Sequence, residues 1–330
     1  MKFLYLNLNN KAVEKAYDRI YDLFDINKVK IYHKKEVENY LSLKDDNDEI
    51  FVCANIWHVL YLKYKALVKL KRIKIIFWVQ GAVAHESFLK NKSYFRFFIL
   101  WFLEYISLIL SDFYIYVSPY MKDYYEKKFF TSSKQSIVIP CISDLNQNIK
   151  IKRDSENYCY IGGMSKWQNF ETIIKMMNII VEHNNEVKFS VATNDLTVCQ
   201  AKLEELATEK LLKVTSVVSL VSKQEIENFL SAASFGFLIR DDIVVNNVAS
   251  PIKLAEYLSC GVNVISTKGI TSYRNLIEQA GYIVDDKNLD SIREIKFEAN
   301  EEKALEVFQE NFSSISISNS VNTFLKELGL

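Results

Sequence analysis

The chain has 330 residues, of which 49% are hydrophobic and 25% charged, and its 41 basic and 41 acidic side chains give a formal net charge of zero. One hydrophobic core seldom supports that length, so we expect two domains with the composition of an ordinary soluble globular protein. The five cysteines are scattered, without paired spacing and without a histidine in metal-ligand register. This excludes a disulfide framework and a zinc site, and it favours a reducing cytoplasm.

Basic and acidic residues are unevenly distributed along the chain. Residues 1–145 hold 22 Lys and Arg against 16 Asp and Glu, whereas residues 146–330 hold 19 against 25. Within residues 51–140 the basic excess is 13 against 5. A basic face suits an anionic partner such as a phospholipid surface, a lipid diphosphate or a nucleic acid. A solvated lysine face with no partner explains the same counts equally well.

Strand-like and helix-like patterns alternate along the chain, which is typical of parallel α/β architecture. In the first half, the strand patterns cover residues 2–8, 28–33, 49–54, 73–79, 113–117 and 136–139, and the helical patterns cover residues 11–24, 59–71, 93–110 and 121–129. In the second half, the strand patterns cover residues 158–161, 188–192, 212–215, 235–239, 262–266 and 281–284.

Periodicity is lost between residues 140 and 154, where the chain becomes polar. This predicts two doubly wound, Rossmann-like domains, 1–145 and 146–330, with the last helix able to pack back on the first domain. Ligands of such folds bind at the carboxyl ends of the strands, so we expect the site in a cleft between the domains.

The most apolar stretch covers residues 94–117, and Arg96, Glu104 and Asp112 interrupt it. No uncharged run therefore reaches the roughly 18 residues that span a bilayer, which predicts a helix followed by a strand and not a transmembrane segment. The first eight residues alternate as a strand and lack the apolar core and cleavage site of a signal peptide. Six aromatic residues of the helix could face a bilayer interface, but core packing is the preferred interpretation: Phe95, Phe97, Phe98, Trp101, Phe102 and Tyr105.

Gly81 ends an apolar strand pattern and is followed by His85, Glu86 and Ser87. We expect His85 and Glu86 in a loop at the carboxyl end of the strand, where they can present a base or a sugar-binding carboxylate. The alternative is the first turn of a helix, in which Glu86 favours the helix dipole and Ser87 caps.

Gly162 and Gly163 follow an apolar strand and precede a helical pattern, which is the outline of a phosphate-binding loop. The spaced glycines of a dinucleotide fingerprint and the Gly-Lys-Ser/Thr ending of a P-loop are both missing. Neither NAD binding nor ATP hydrolysis is therefore supported. A simple tight turn explains the glycine pair about as well.

The segment from Arg240 to Ile265 contains a short helix framed by Pro251 and Gly261. Ser250 is predicted as the N-cap and Pro251 as the first helical residue, which leaves the amides of the first turn available to a diphosphate. Lys253 and the residue three positions on, Glu256, share one helix face. Arg240 ends a strand and can grip a diphosphate, unless it pairs with one of the two aspartates that follow it.

The block from Arg240 to Ile265 resembles the Arg, Asn, Ala-Ser-Pro-x-Lys-x-x-Glu-Tyr-Leu-x-x-Gly-x-x-Val-Ile block of GT-B glycosyltransferases of family 4. These are the "group 1" enzymes of bacterial capsule, lipopolysaccharide and O-antigen assembly. Three shorter stretches agree in order and spacing: Phe77-Trp-Val-Gln-Gly with Glu86-Ser87, Val117-Ser118 with Met121, and Tyr160-Ile-Gly-Gly-Met-Ser-Lys-Trp-Gln.

The resemblance implies that the second domain holds a nucleotide-diphosphate sugar, with Glu256 on the ribose. The implied donor-binding residues are Gly162, Gly163, Ser165, Trp167, Arg240, Asn247, Ser250, Pro251, Ile252, Lys253 and Glu256, and those of the acceptor-side loop are Gly81 and Ser87. Two departures matter. Val248 stands where the group has the first glutamate of its pair, and the Arg and Lys of the first loop fall on Gly163 and Gln168, which leaves Arg240 and Lys253 to meet the diphosphate.

The implied activity is sugar transfer to a saccharide acceptor, free or lipid-linked, with Glu86, His85, Arg240 and Lys253 as the catalytic candidates. We expect no metal, no cofactor and no nucleic acid, and the expected place is the cytoplasm at the inner face of the membrane. With inversion Glu86 or His85 serves as the base; with retention, the preferred mechanism, the diphosphate itself takes the acceptor proton. A nucleotide-sugar-binding module without turnover is the alternative.

Overall fold

The computed structural model describes residues 2–6, 18, 20–24, 27–42, 49–131, 134–153, 156–184 and 186–329. Most of the predicted helix 11–24 lies outside the described residues. The chain forms two compact units. The first contains Met1–Pro140, Val248–Ser250 and Ser314–Leu330, and the second contains Cys141–Asn247 and Pro251–Ser313.

The first unit contains a parallel sheet with strand order β2-β1-β3-β4-β5-β6. Its strands are β1 (Lys2–Leu6), β2 (Asn27–Ile31), β3 (Glu49–Cys53), β4 (Lys74–Val79), β5 (Phe113–Tyr116) and β6 (Ser136–Val138). Residues 75–79 of β4 are all buried, as expected for a parallel strand that is covered on both faces.

The helices of the first unit are α1 (Lys34–Ser42), α2 (Ile56–Val68), α3 (Val83–Asn91), α4 (Tyr94–Leu110), α5 (Pro119–Phe129) and, from the end of the chain, α14 (Ser314–Glu327). Three of them begin at side-chain caps that the sequence supplies. Asn55 accepts from the amide of Trp57, Ser93 from that of Arg96, and Ser118 from that of Met121.

The second unit contains a parallel sheet with strand order β12-β11-β10-β7-β8-β9. Its strands are β7 (Asn157–Ile161), β8 (Lys188–Ala192), β9 (Thr215–Val218), β10 (Phe235–Leu238), β11 (Asn263–Ser266) and β12 (Gly281–Ile283). Its helices are α6 (Phe170–His183), α7 (Leu196–Leu206), α8 (Glu209–Val214), α9 (Lys223–Ser231), α10 (Val244–Asn247), α11 (Ile252–Ser259), α12 (Arg274–Gln279) and α13 (Glu301–Asn311), with short 3-10 turns at Lys166–Gln168, Thr271–Tyr273 and Leu289–Glu294.

Two hydrophobic clusters cover the two faces of this second sheet. Tyr158 and Tyr160 of β7 belong to the cluster that contains the buried side of α6, whereas Cys159 belongs to the cluster that contains the buried side of α11. Side chains of a strand alternate between the faces of its sheet, so β7 contributes to both cores. This packing fixes the carboxyl end of β7, where Gly162 and Gly163 follow.

Two differences from the predicted elements have local causes. The predicted strand 212–215 is wrong, because Thr208 caps a short helix by accepting from the amide of Leu211, and the strand β9 begins only at Thr215. Helix α1 was not predicted; it buries Val37 and Leu41, which are spaced as one helix face requires.

Candidate functional site

Helix α11 begins one residue later than predicted. Pro251 occupies the N-cap position and no side chain caps the helix, so the prediction of Ser250 as the N-cap and Pro251 as the first helical residue is wrong. Ile252 and Lys253 lie in the first turn, whose amides have no side-chain cap. Gly261 ends the helix as predicted, with a left-handed φ of +73°.

The ammonium of Lys253 lies against the glycine loop after β7. It donates to the Gln168 amide oxygen at 2.8 Å and to the Tyr160 hydroxyl at 3.3 Å, and it sits 4.4 Å from the centre of the Tyr160 ring. Gly162 has φ +148°, and a Cβ there would collide with the Lys253 ammonium. The glycine therefore admits the lysine into the carboxyl end of the sheet.

Other hydrogen bonds hold the loop in place around this lysine. The Tyr160 hydroxyl donates to the Gly163 carbonyl at 2.7 Å, and the amide of Met164 donates to the carboxylate of Asp195 at 3.1 Å. Ser165 is half-buried and precedes the 3-10 turn, and Trp167 within the turn is 53% exposed. The exposed indole leaves an aromatic surface beside the glycine loop.

Arg240 lies at the carboxyl end of β10, as predicted. Its Nη1 donates to the Trp167 carbonyl at 3.3 Å and to the Ile239 carbonyl at 3.0 Å. The carboxylates of Asp241 and Asp242 accept hydrogen bonds from side-chain amides, at 2.7 and 2.8 Å respectively. The guanidinium thus joins the loop after β10 to the 3-10 turn after β7 by carbonyl contacts.

Arg240 and Lys253 are two half-buried cations, and the charge of Arg240 disfavours the charged form of Lys253. Burial, and to a smaller extent the Arg240 charge, lower the pKa of Lys253 to about 7, and the opposite charge of Glu256 only partly offsets them. Burial likewise lowers the pKa of Arg240. An anion placed between the two cations relieves both effects.

The remaining predicted donor residues differ in their surroundings. Glu256 is half-buried on α11, three residues after Lys253. The Asn247 amide donates to Asp242 and accepts from the Thr271 hydroxyl, both at 2.8 Å, so it ties the loop after β10 to the loop after β11. Val248, at the position where a glutamate was expected, is fully buried. Ser250 lies in the segment that clusters with the first unit.

The first unit has a cavity of about 300 Å³ at the carboxyl ends of β3 and β4. Its lining includes Trp57, Gly81, Glu86, Glu104 and Tyr125. The carboxylate of Glu86 lies over Gly81, where a Cβ would collide with it, and burial raises the pKa of Glu86. The sequence predicted Gly81 and Glu86 at this edge of the sheet, and the structure brings both to one cavity.

His85 and Glu86 lie in the first turn of α3, so the prediction of a loop is wrong and the alternative of a helical turn is right. Ser87 does not cap this helix; the N-cap position belongs to Ala82, which has no capping side chain. His85 turns away from the cavity lining: its Nε2 lies 2.9 Å from the Tyr124 hydroxyl and its ring packs on Phe97. Burial lowers the pKa of His85, which keeps the ring neutral near pH 7.

Glu104 lines the same cavity as Glu86, and the sequence patterns did not predict it there. It is 3% exposed and accepts hydrogen bonds from the Tyr125 hydroxyl at 2.9 Å and from the amides of Val83 and Ala84. Burial, partly offset by these bonds, raises its pKa to about 7. Its position on the same helix face as the buried Leu100 and Leu108 is the signal that could have identified it.

No group of three or more His, Cys, Asp or Glu side chains suitable for a metal ion occurs among the described residues. In the same part of the chain, no helix combines the length and apolarity of a bilayer-spanning segment.

Solved structures show which class of fold this is. The Anabaena protein HepE, in complex with UDP and glucose, is 10% identical with a TM-score of 0.67, and the match covers 99% of this chain and 100% of HepE. The lipopolysaccharide outer core galactosyltransferase WaaB is 14% identical with a TM-score of 0.66, covering 99% of both chains. The pneumococcal O-GlcNAc transferase GtfA, in complex with UDP and GlcNAc, is 12% identical with a TM-score of 0.63; the match covers 90% of this chain, which spans only 60% of GtfA. The fold is thus the two-unit α/β fold of GT-B proteins, as predicted.

The sequence identifies the family. The model of the family described as "Glycosyl transferases group 1" matches residues 142–312, which is more than half of the chain. The chain therefore belongs to this family, as the resemblance implied. None of the curated protein sequences matches it.

Proposed function

We propose that the protein transfers a sugar from a nucleotide-diphosphate sugar to a saccharide acceptor, with retention of configuration and without a metal ion. The pair of half-buried cations at the carboxyl end of the second sheet supports the proposal. Lys253 and Arg240 both have lowered pKa values, and they flank a loop that Gly162 keeps open. Such a site is built for a ligand with concentrated negative charge.

Each donor-binding residue has a specific part in this proposal. The diphosphate lies on the amides of Gly163, Ile252 and Lys253 and on the two cations, and Glu256 accepts from the ribose hydroxyls. Trp167 and Ser165 flank the nucleotide, while Asn247 holds the loop that carries Arg240. Ser250 and Pro251 lie directly before the first turn of α11.

The catalytic step is departure of the nucleoside diphosphate. The bond between the anomeric carbon and the diphosphate oxygen breaks, a bond from that carbon to the acceptor oxygen forms, and the acceptor proton goes to the departing diphosphate. Lys253 and Arg240 stabilise the charge that builds on the leaving oxygen. If the reaction inverts, Glu86 is a better base than His85, because Glu86 lines the cavity of the first unit and His85 is engaged by Tyr124.

The acceptor we propose is a lipid-linked saccharide of cell-surface polysaccharide assembly, which places the enzyme in the cytoplasm at the inner face of the membrane. Three observations on other proteins support the donor and acceptor class. HepE binds UDP and glucose, GtfA binds UDP and GlcNAc, and WaaB is a galactosyltransferase of the lipopolysaccharide outer core.

The donor assignment is tested by thermal shift with UDP, GDP, dTDP and CMP. We expect one nucleotide alone to raise the Tm, because a ligand that binds only the folded state stabilises it. Donor consumption is then measured with the matching sugar nucleotides for the wild type and for Arg240→Ala and Glu256→Ala. Near-normal turnover in both variants would refute the assignment of the site. Nucleotide binding without turnover by the wild type, on any acceptor tried, would favour the alternative of a binding module.

A further inference from the structure

Helix α4 exposes an apolar face along its whole length. Eight of its side chains fall within a sector of about 140° that contains no charged residue: Tyr94, Phe95, Phe98, Ile99, Phe102, Tyr105, Ile106 and Ile109. Phe95 is 78% exposed, Phe98 63% and Phe102 53%. The prediction that these three aromatic side chains pack in the core is therefore wrong; Phe97, Trp101 and Tyr105 are half-buried.

The neighbouring helix α2 packs against α4 and also exposes apolar side chains. The Ser107 hydroxyl of α4 donates to the Ile56 carbonyl at 3.5 Å and joins the two helices. On α2 the exposed side chains lie on one face and are again apolar: Trp57, Tyr64, Leu67 and Val68. Aromatic side chains present roughly 150–250 Å² each, so the combined surface exceeds the 300–600 Å² of the largest patch on a typical monomer. We call it the α2–α4 face.

Most charged residues between positions 57 and 110 are positive, and two lysines of α2, Lys63 and Lys65, pair with Asp112 and Glu38. Residues 57–110 contain nine Lys and Arg against two acidic residues, Glu86 and Glu104. Glu104 is buried and Glu86 turns its carboxylate over Gly81, so neither opposes an anionic surface. Exposed cations lie near the start of α4 and after the end of α2: Lys90, Lys92, Arg96, Arg72 and Lys74.

We infer that the α2–α4 face docks on an anionic phospholipid bilayer. Its aromatic side chains enter the interfacial region, and the cations at both ends contact the lipid phosphates. Trp57 is part of both the face and the lining of the first-unit cavity, so an acceptor held in the bilayer reaches the cavity along the protein surface. This last step rests on the proposed function, whereas the membrane contact does not.

The test is flotation of the full chain with phosphatidylcholine vesicles that contain or lack phosphatidylglycerol, at low and high salt. We expect binding to the anionic vesicles that salt weakens. The combined variant Phe95→Ser, Phe98→Ser and Phe102→Ser should bind at least about tenfold more weakly, since three exposed aromatic anchors are lost. The matched control is Ile149→Ser, Val221→Ser and Ile315→Ser, at apolar positions that are as exposed but lie elsewhere, and it should bind as the wild type does.

Three outcomes would overturn the inference: no binding of the wild type to anionic vesicles, equal binding by the Phe variant and the wild type, or a lipid-free dimer that the Phe variant turns into a monomer. The last would assign the face to a second copy of the chain. Consumption of the donor with lipid-linked and with soluble saccharide acceptors, measured on the same samples, separates the two proposals. Vesicle binding without donor consumption leaves the docking face standing and refutes the proposed function.

Discussion

The ammonium of Lys253 fills the space that a side chain at position 162 would need. Gly162 lies in a loop and Lys253 in a helix far from it in sequence. The position of the lysine side chain requires a residue without a Cβ at position 162. The glycine gives the lysine access to Tyr160 and Gln168, and the lysine places a titratable ammonium group beside the loop. The two residues form one functional unit.

Gly162→Ala should therefore damage both stability and donor binding. The new Cβ adopts an unfavourable φ and displaces the Lys253 ammonium, which should cost about 1–3 kcal/mol in the free energy of unfolding. The matched control is Gly163→Ala, since a Cβ there has only the Asp195 carboxylate at 3.4 Å and φ is not left-handed. Chemical denaturation measures the stability of both variants, and nucleotide titration measures their donor binding. Equal effects at the two positions would contradict the special requirement for glycine at position 162.

Binding of a nucleoside diphosphate should weaken as the pH rises above 7. The pKa of Lys253 is about 7 in the free protein, and a bound diphosphate raises it, so the complex holds a proton that the free protein has lost. The contribution of Lys253 to the affinity for the diphosphate is fully present below pH 7. Above pH 7 the affinity falls by up to about tenfold per pH unit. Calorimetry at pH 8 in buffers of different ionisation enthalpy should detect proton uptake.

Lys253→Met should abolish this proton uptake and weaken diphosphate binding, while its Tm equals or exceeds that of the wild type. The substitution removes a half-buried cation whose charge is unfavourable in the folded state, and it keeps most of the side-chain volume. Lys213→Met replaces an exposed lysine of the same unit and should leave binding and proton uptake unchanged. A marked fall in the Tm of Lys253→Met would show that the lysine acts mainly in folding.

Glu104→Gln should reduce the pH dependence of stability between about pH 4.5 and 7. The pKa of Glu104 is raised from 4.5 to about 7 by folding, so the folded state binds the extra proton in this window and stability falls as the pH rises through it. The resulting loss in the free energy of unfolding amounts to about 3 kcal/mol at most. Glutamine stays neutral and should show a smaller difference in Tm between pH 5 and 8. Asp123→Asn, at an exposed position in the same unit, is the control.

Gly236→Ala should destabilise the second unit, because a Cβ at this position would meet the Tyr257 ring at 2.9 Å. The ring must shift, and its hydroxyl then loses the Phe237 carbonyl at 3.2 Å and the Ile161 amide at 3.3 Å. We expect a loss of about 1–3 kcal/mol. Gly163→Ala, where a Cβ would meet only the Asp195 carboxylate at 3.4 Å and φ is not left-handed, should cost less, and equal losses would contradict the packing argument.

The sequence predicts the parallel sheets well, since buried strands are continuous apolar runs that are bounded by polar segments. Gly162 and Arg240 could be selected because each follows an apolar strand pattern, and Lys253 because it falls in the first turn of a predicted helix. The position of Gln168 against Lys253 could not, because that contact joins two elements whose approach depends on the whole sheet. The start of α11 was misplaced by one residue, since serine and proline both suit its N-cap region.

The exposure of α4 shows a second feature that the sequence does not determine. Phe95, Phe98 and Phe102 have the spacing of an amphipathic helix, and that spacing alone does not say whether an apolar face meets the core or the outside of the molecule. The other side of α4, with Leu100 and Leu108, is the one that packs inward. The hydrophobic pattern predicts the helix but does not determine which of its sides faces the core.

Glu104 also joins helix α4 to the start of helix α3. Helix α3 has no capping side chain of its own, and its first amides are satisfied by a carboxyl group that α4 supplies. A nine-residue helix is marginal in water by itself. The carboxyl group of Glu104 therefore stabilises the start of α3 through α4, which couples the position of the loop at Gly81 to the packing of the longer helix.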